Sequence, residues 1–167
     1  MTKIERFINK NTYVDTMKIS YSDAKEFVKS LEEVLDIIKQ RKPTCVIAPM
    51  FGAVPFIDIL NIIDDDFSKN TNVEYVSASN KIHRLRDVLR GSFENIINAY
   101  APDGGEFLSI DEVISGNSLK RVEKQFDAAR MNYANRKTIE LYGDKTDFKD
   151  ENVKSFRDSV VESCLLY

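Results

Sequence analysis

Short apolar runs of strand length alternate along this chain with longer segments whose apolar residues recur every three or four positions. That alternation limits the fold more than any other feature. The runs at Thr44–Ala48, Asn72–Ser77, Glu106–Ile110 and Lys137–Tyr142 read as strands. Helical spacing appears at Ala24, Phe27, Val28, Leu31, Val34, Leu35 and Ile38, with Asp23 and Glu26 as the expected capping box and Pro43 as the stop. It returns over Val54–Ile63, with Pro55 in the first turn, and again at Leu119, Val122, Phe126, Ala129 and Tyr133. Ile82, Leu85 and Leu89 mark a basic helix over Lys81–Arg90, and Ser92–Tyr100 reads as a second, short one. Tyr13–Ile19 reads as a short strand or arm, and the apolar end at Val160, Val161, Leu165 and Leu166 as a final helix or strand. Helices alternating with strands imply an α/β fold, a central mostly parallel sheet flanked by helices.

The chain has 167 residues, the size of one domain with a proper core. Its net charge of -3 argues against nucleic acid as the main partner, because a polyanion calls for a broad basic surface. Cys45 and Cys164 lie in apolar surroundings far apart, with no CxxC or Cys/His cluster, and read as free thiols of a reducing compartment. No apolar run reaches membrane-spanning length and residues 1–10 do not resemble a signal peptide, so the expected location is the cytoplasm, with no membrane partner. The acidic triplet Asp64–Asp66 reads as a solvated loop after a helix end rather than as a metal site.

In a parallel sheet of this kind ligands bind outside the carboxyl ends of the strands, which directs attention to Pro49–Ala53, Ser77–Lys81 and Asp111–Ser118. The third segment carries the most chemistry. An apolar strand, Phe107–Ile110, ends in two adjacent carboxylates, Asp111 and Glu112. Val113 and Ile114 follow, then Ser115, Gly116, Asn117 and Ser118, which open a helix. Backbone N–H groups of such a loop cradle a phosphate, short hydroxyl and amide side chains add donors, and Gly116 admits a close approach. Two carboxylates beside an anion site suit the hydroxyls of a vicinal diol, with hydrated Mg2+ offsetting the charge. The combination fits a ribose 5-phosphate moiety.

On these residues the chain resembles the type I phosphoribosyltransferases, whose signature is an apolar strand, two acidic residues, two commonly apolar residues and then Ser/Thr-Gly-x-Ser/Thr. The resemblance covers about residues 40–143 of a single domain spanning 1–167, with the terminal segments forming a small variable hood. It implies that Asp111 and Glu112 hold the ribose diol, and Mg2+ through water, while Val113–Ser118 hold the 5-phosphate. Phe51, Gly52 and Ala53 stand where the family places its pyrophosphate loop, although Met50 replaces the cation common there. Lys81 would face pyrophosphate as a further catalytic group, and Arg84 and Arg86 would belong to a mobile loop closing over the reaction centre. His83, the single histidine, reads as a surface residue.

The implied activity is transfer of ribose 5-phosphate from phosphoribosyl pyrophosphate to a nitrogenous base, with release of pyrophosphate. Ser77–Asn80 slightly favours a purine, and a homodimer is compatible with the resemblance. The alternative is a non-catalytic protein that binds phosphoribosyl pyrophosphate or a nucleotide on the same fold. A receiver-like signalling domain fits poorly, since its acidic pair belongs at the end of the first strand, where this chain has Pro49-Met50-Phe51.

Overall fold

The computed structural model describes residues 20–50, 52–78, 86–111, 117–143 and 150–166. Helix α1 (Tyr21–Arg41) leads into strand β1 (Cys45–Pro49), and α2 (Val54–Ile63) with the short α3 (Phe67–Asn70) leads into β2 (Val73–Val76). Helix α4 (Arg86–Tyr100) precedes β3 (Gly105–Asp111), and α5 (Asn117–Tyr142) with α6 (Asp150–Asp158) precedes β4 (Val160–Leu166). The four strands form one all-parallel sheet in the order β2-β1-β3-β4. The expected α/β architecture, a parallel sheet between helices, is what the chain adopts.

Alternation within the strands divides the core in two. Val46 and Ala48 of β1 and Leu108 and Ile110 of β3 pack with α1 and α2. Cys45, Ile47, Phe107 and Val160 point the other way, into a cluster with Phe93 of α4 and Phe126 of α5. Phe126 holds that side together, its ring centroid 5.4 Å from both Phe93 and Phe107. Because both faces are covered, β1 is buried at every position, and a continuous apolar run was its sequence signal.

The structure corrects the sequence reading in four places. The capping box of α1 lies one turn earlier than expected: Ser20 accepts from the Asp23 N–H at 3.1 Å, and Asp23 accepts from the Ser20 N–H at 3.2 Å. Gly91 does not divide two helices; α4 runs through it as one element. Lys137–Tyr142 is not a strand but the last turns of α5. Its β-branched Thr138 is accommodated because the buried hydroxyl donates to the Ala134 carbonyl at 2.8 Å. Gly143, at φ 76°, closes that helix by donating its N–H to Ile139 O at 2.9 Å. The fourth strand is instead Val160–Leu166, so the ambiguous C-terminal segment supplies both a helix and a strand.

Gly104 makes the turn into β3 with φ 101°, a conformation open to glycine, and a Cβ there would lie 2.7 Å from Ser159 O. Among the described residues no helix is long and apolar enough to cross a membrane. The expected arm at Tyr13–Ile19 lies outside the described residues.

Candidate functional site

The sheet order defines one crevice. From β1 the chain moves outward to β2 on one side, then returns to place β3 on the other side of β1, with β4 beyond it. The direction of winding reverses between β1 and β3, and their carboxyl ends flank the opening where doubly wound sheets bind ligands. Pro49 ends β1 on one side of it, and Asp111 ends β3 on the other.

On the β1 side, Met50 donates its N–H to Val76 O at 2.8 Å, continuing the pairing with β2. The chain then turns through Gly52 and Ala53, and Ala53 N–H closes the turn on Pro49 O at 3.0 Å. Ala53 is fully buried, and Pro55 enters the first turn of α2, where its missing N–H costs nothing. Met50, just before this turn, is 43% exposed.

On the β3 side, Asp111 is 4% exposed at the end of a strand that is buried from Phe107 onward. Helix α5 starts six residues later, at Asn117, with Ser118 in its first turn. Its 26 residues direct the positive end of the helix dipole toward the same sheet edge. Of the residues selected from sequence, Gly52, Ala53 and Asp111 thus lie at one edge, together with the start of α5. Arg86 is the exposed first residue of α4. Phe51, Lys81, Arg84, Glu112, Val113, Ile114, Ser115 and Gly116 lie outside the described residues, as does His83.

No family model, curated protein or solved structure matches this chain.

The other candidates resolve into structural roles. Helix α2 stops before the acidic triplet, Asp64 pairs with Lys39, and Lys69 pairs with Asp66 at 2.7 Å. Among the described residues no cluster of His, Cys, Asp or Glu is arranged to hold a metal. Burial, with Glu74 nearby, pushes the Cys45 thiol up to about 12, which leaves it unreactive. Tyr100 donates its hydroxyl to Glu74 at 2.6 Å, fastening α4 to β2.

A second polar cluster has no counterpart in the sequence reading. Glu162 of β4 lies beneath α5 and accepts from the Ser109 hydroxyl of β3 at 2.8 Å. Burial pushes its carboxyl up to about 7; Glu123 and Asp127 push the same way, while the Ser109 bond and Arg130 oppose. Arg130 donates through Nη1 to Val160 O at 3.2 Å and through Nη2 to Asp127. The signal that could have found Glu162 is the strand period itself, which puts it on the same face as the fully buried Val160.

Proposed function

We propose that the protein is a phosphoribosyltransferase-like enzyme that binds phosphoribosyl pyrophosphate at the carboxyl edge of its sheet and transfers ribose 5-phosphate to a nitrogenous base. The observation that carries this reading is the reversal of winding between β1 and β3. It brings Asp111, at the end of β3, and the start of α5 to the same edge of the sheet as the Gly52–Ala53 turn. In this reading Asp111 and Glu112 hold the ribose hydroxyls, and the 5-phosphate sits on Val113–Ser118 at the start of α5. Gly52 and Ala53, in the turn after β1, would face the pyrophosphate.

Transfer from such a donor passes through oxocarbenium character at the anomeric carbon, so catalysis rests on positioning and on charge stabilisation of the departing pyrophosphate. Mg2+ would supply part of that stabilisation. Asp111 and Glu112 would be the residues to hold that ion, through water.

One observation favours a second reading, binding without transfer: exposed Met50 offers no charge to pyrophosphate where family members place a cation. Calorimetric titration separates the two. Phosphoribosyl pyrophosphate binding with Mg2+, followed by base-dependent pyrophosphate release, supports the transferase. Binding of mononucleotides alone supports a sensor, and binding of neither overturns both. Asp111→Asn should weaken donor binding by about 1.5–3 kcal/mol, the value of a hydrogen bond to a charged group. Gly116→Val should block the phosphate without unfolding the protein.

A further inference from the structure

We propose that the outer edge of β4 pairs with the same strand of a second copy of this chain, antiparallel about a two-fold axis at Ser163, so that one sheet runs through both copies. Strand β4 is flanked on one side by β3, and no strand among the described residues lies along the other. Gly105 donates its N–H to Ser159 O at 2.9 Å. In a parallel ladder the backbone groups of Ser159, Val161 and Ser163 then face β3, while those of Val160, Glu162 and Cys164 face outward. Arg130 takes up the outward Val160 carbonyl at 3.2 Å, and the row continues beyond it.

That row is poorly protected against pairing. Strand β4 spans seven residues without lysine or proline and pairs with β3 at every step, with no bulge to twist its edge away. Its counterpart at the far side of the sheet, β2, has only four residues. On the face toward α1, Val161 is 48% exposed, and the cluster packed under α1 and α2 includes no residue of β4. Side chains of an added strand would cover it.

Helix α5 points independently to a second copy and to the same axis. Lys120, Glu123, Lys124 and Asp127 are exposed and line one groove with Glu162, so they lie on the side of α5 turned to the edge of β4. Within one copy this order sets like charges four positions apart, Lys120 with Lys124 and Glu123 with Asp127, which is mildly unfavourable. Against an antiparallel copy the same order is complementary: Lys120 meets Asp127, and Glu123 meets Lys124. The centre of that pattern falls between Glu123 and Lys124. Phe126 packs on Phe107 with ring centroids 5.4 Å apart, and Phe107 pairs with Glu162, so Phe126 and Glu162 stand at one height on the sheet. A strand residue advances about 3.3 Å and a helix residue about 1.5 Å, and α5 runs opposite to the strands. Ser163, one step beyond Glu162, is therefore level with Lys124. Strands lie about 4.8 Å apart, so a helix seated over β3 and β4 lies about 5 Å from the axis and about 10 Å from its copy, a distance at which helices pack. This register also sets Glu162 opposite Cys164 of the second copy rather than opposite itself.

The test is sedimentation velocity from about 0.1 to about 100 μM, with folding followed by circular dichroism. The expected species is a dimer. Lys124→Glu places like charges across the axis twice and should raise the dissociation constant at least about tenfold, and adding Glu123→Lys should restore it. Both positions are exposed, and Lys124→Glu removes a like-charge pair within α5, so the loss of dimer is not a loss of fold. Cys164→Pro deletes one outward N–H without cutting the ladder with β3 and should give a folded monomer. If that variant does not fold, the charge exchange decides alone. A monomer at every concentration overturns the proposal. So does a dimer indifferent to Lys124→Glu, a double variant that stays dissociated, or a dimer that survives in folded Cys164→Pro. None of these outcomes depends on what binds at the Asp111 edge.

Discussion

Glu162→Gln should remove a pH dependence of stability whose size follows from the burial of that carboxyl. The group titrates at about 7 in the folded protein against 4.5 when free. At about 1.4 kcal/mol per pH unit, that rise corresponds to about 3 kcal/mol. The folded state holds the proton more tightly than the unfolded chain, so this contribution is fully present below pH 4.5. It declines as pH rises and is lost above about 7. Gln stays neutral and can still accept from the Ser109 hydroxyl through its amide oxygen. Urea unfolding followed by circular dichroism, at intervals from about pH 5 to about pH 8, gives the comparison. The free-energy difference between variant and wild type should shift in favour of the variant by up to about 3 kcal/mol across that range. Taking the difference cancels every other titrating group that the two proteins share. Two parallel stability profiles would refute the reasoning and show Glu162 ionised in the folded state well below neutrality.

Gly91 and Gly104 should respond oppositely to alanine. Gly91 lies inside α4, and a methyl group added there would meet nothing within 4 Å, so Gly91→Ala should stabilise by about 0.5–1 kcal/mol through helix propensity. Gly104→Ala meets Ser159 O at 2.7 Å with φ 101° and should cost more than about 2 kcal/mol, both read from thermal unfolding. Phe126→Ala removes the ring between Phe93 and Phe107 and should cost about 3–5 kcal/mol by urea denaturation. Ser20→Ala should cost about 1 kcal/mol on the same assay by uncapping α1.

The parallel sheet was legible in the sequence because its inner strands are buried on both faces and need apolar residues at every step, as β1 shows. Helix ends were less so. The Asp23–Glu26 spacing satisfies a capping box as well as Ser20–Asp23 does, and the choice between them depends on where the backbone leaves the extended conformation. Lys137–Tyr142 misled because Thr138 and Ile139 favour strands locally, whereas Tyr133, Ala134 and Thr138 continue a buried helical stripe. Gly143 after this stretch does not decide between the two, because a glycine follows strands and helices alike, and only its left-handed backbone makes it a helix stop. At the candidate site the order of chemical groups along Phe107–Ser118 could be read directly. The placing of β3 next to β1 could not, because strand order depends on contacts distant in sequence. The cluster of Ser109, Arg130 and Glu162 draws on three elements, and no local spacing announces it.

The edge position of β4 also has a consequence for how the chain is made. Strand β3 pairs along one side with β1, which precedes it, and along the other from Gly105 to Asp111 with β4. Residues 112–159 must leave the ribosome before that second side can close. Until then β3 offers an open row of N–H and C=O groups on its most apolar stretch, a template for pairing with another chain. A nascent or truncated chain that stops before Val160 therefore keeps all of the described helices and three of the described strands, yet presents as an open edge a strand that the finished protein buries from Phe107 onward.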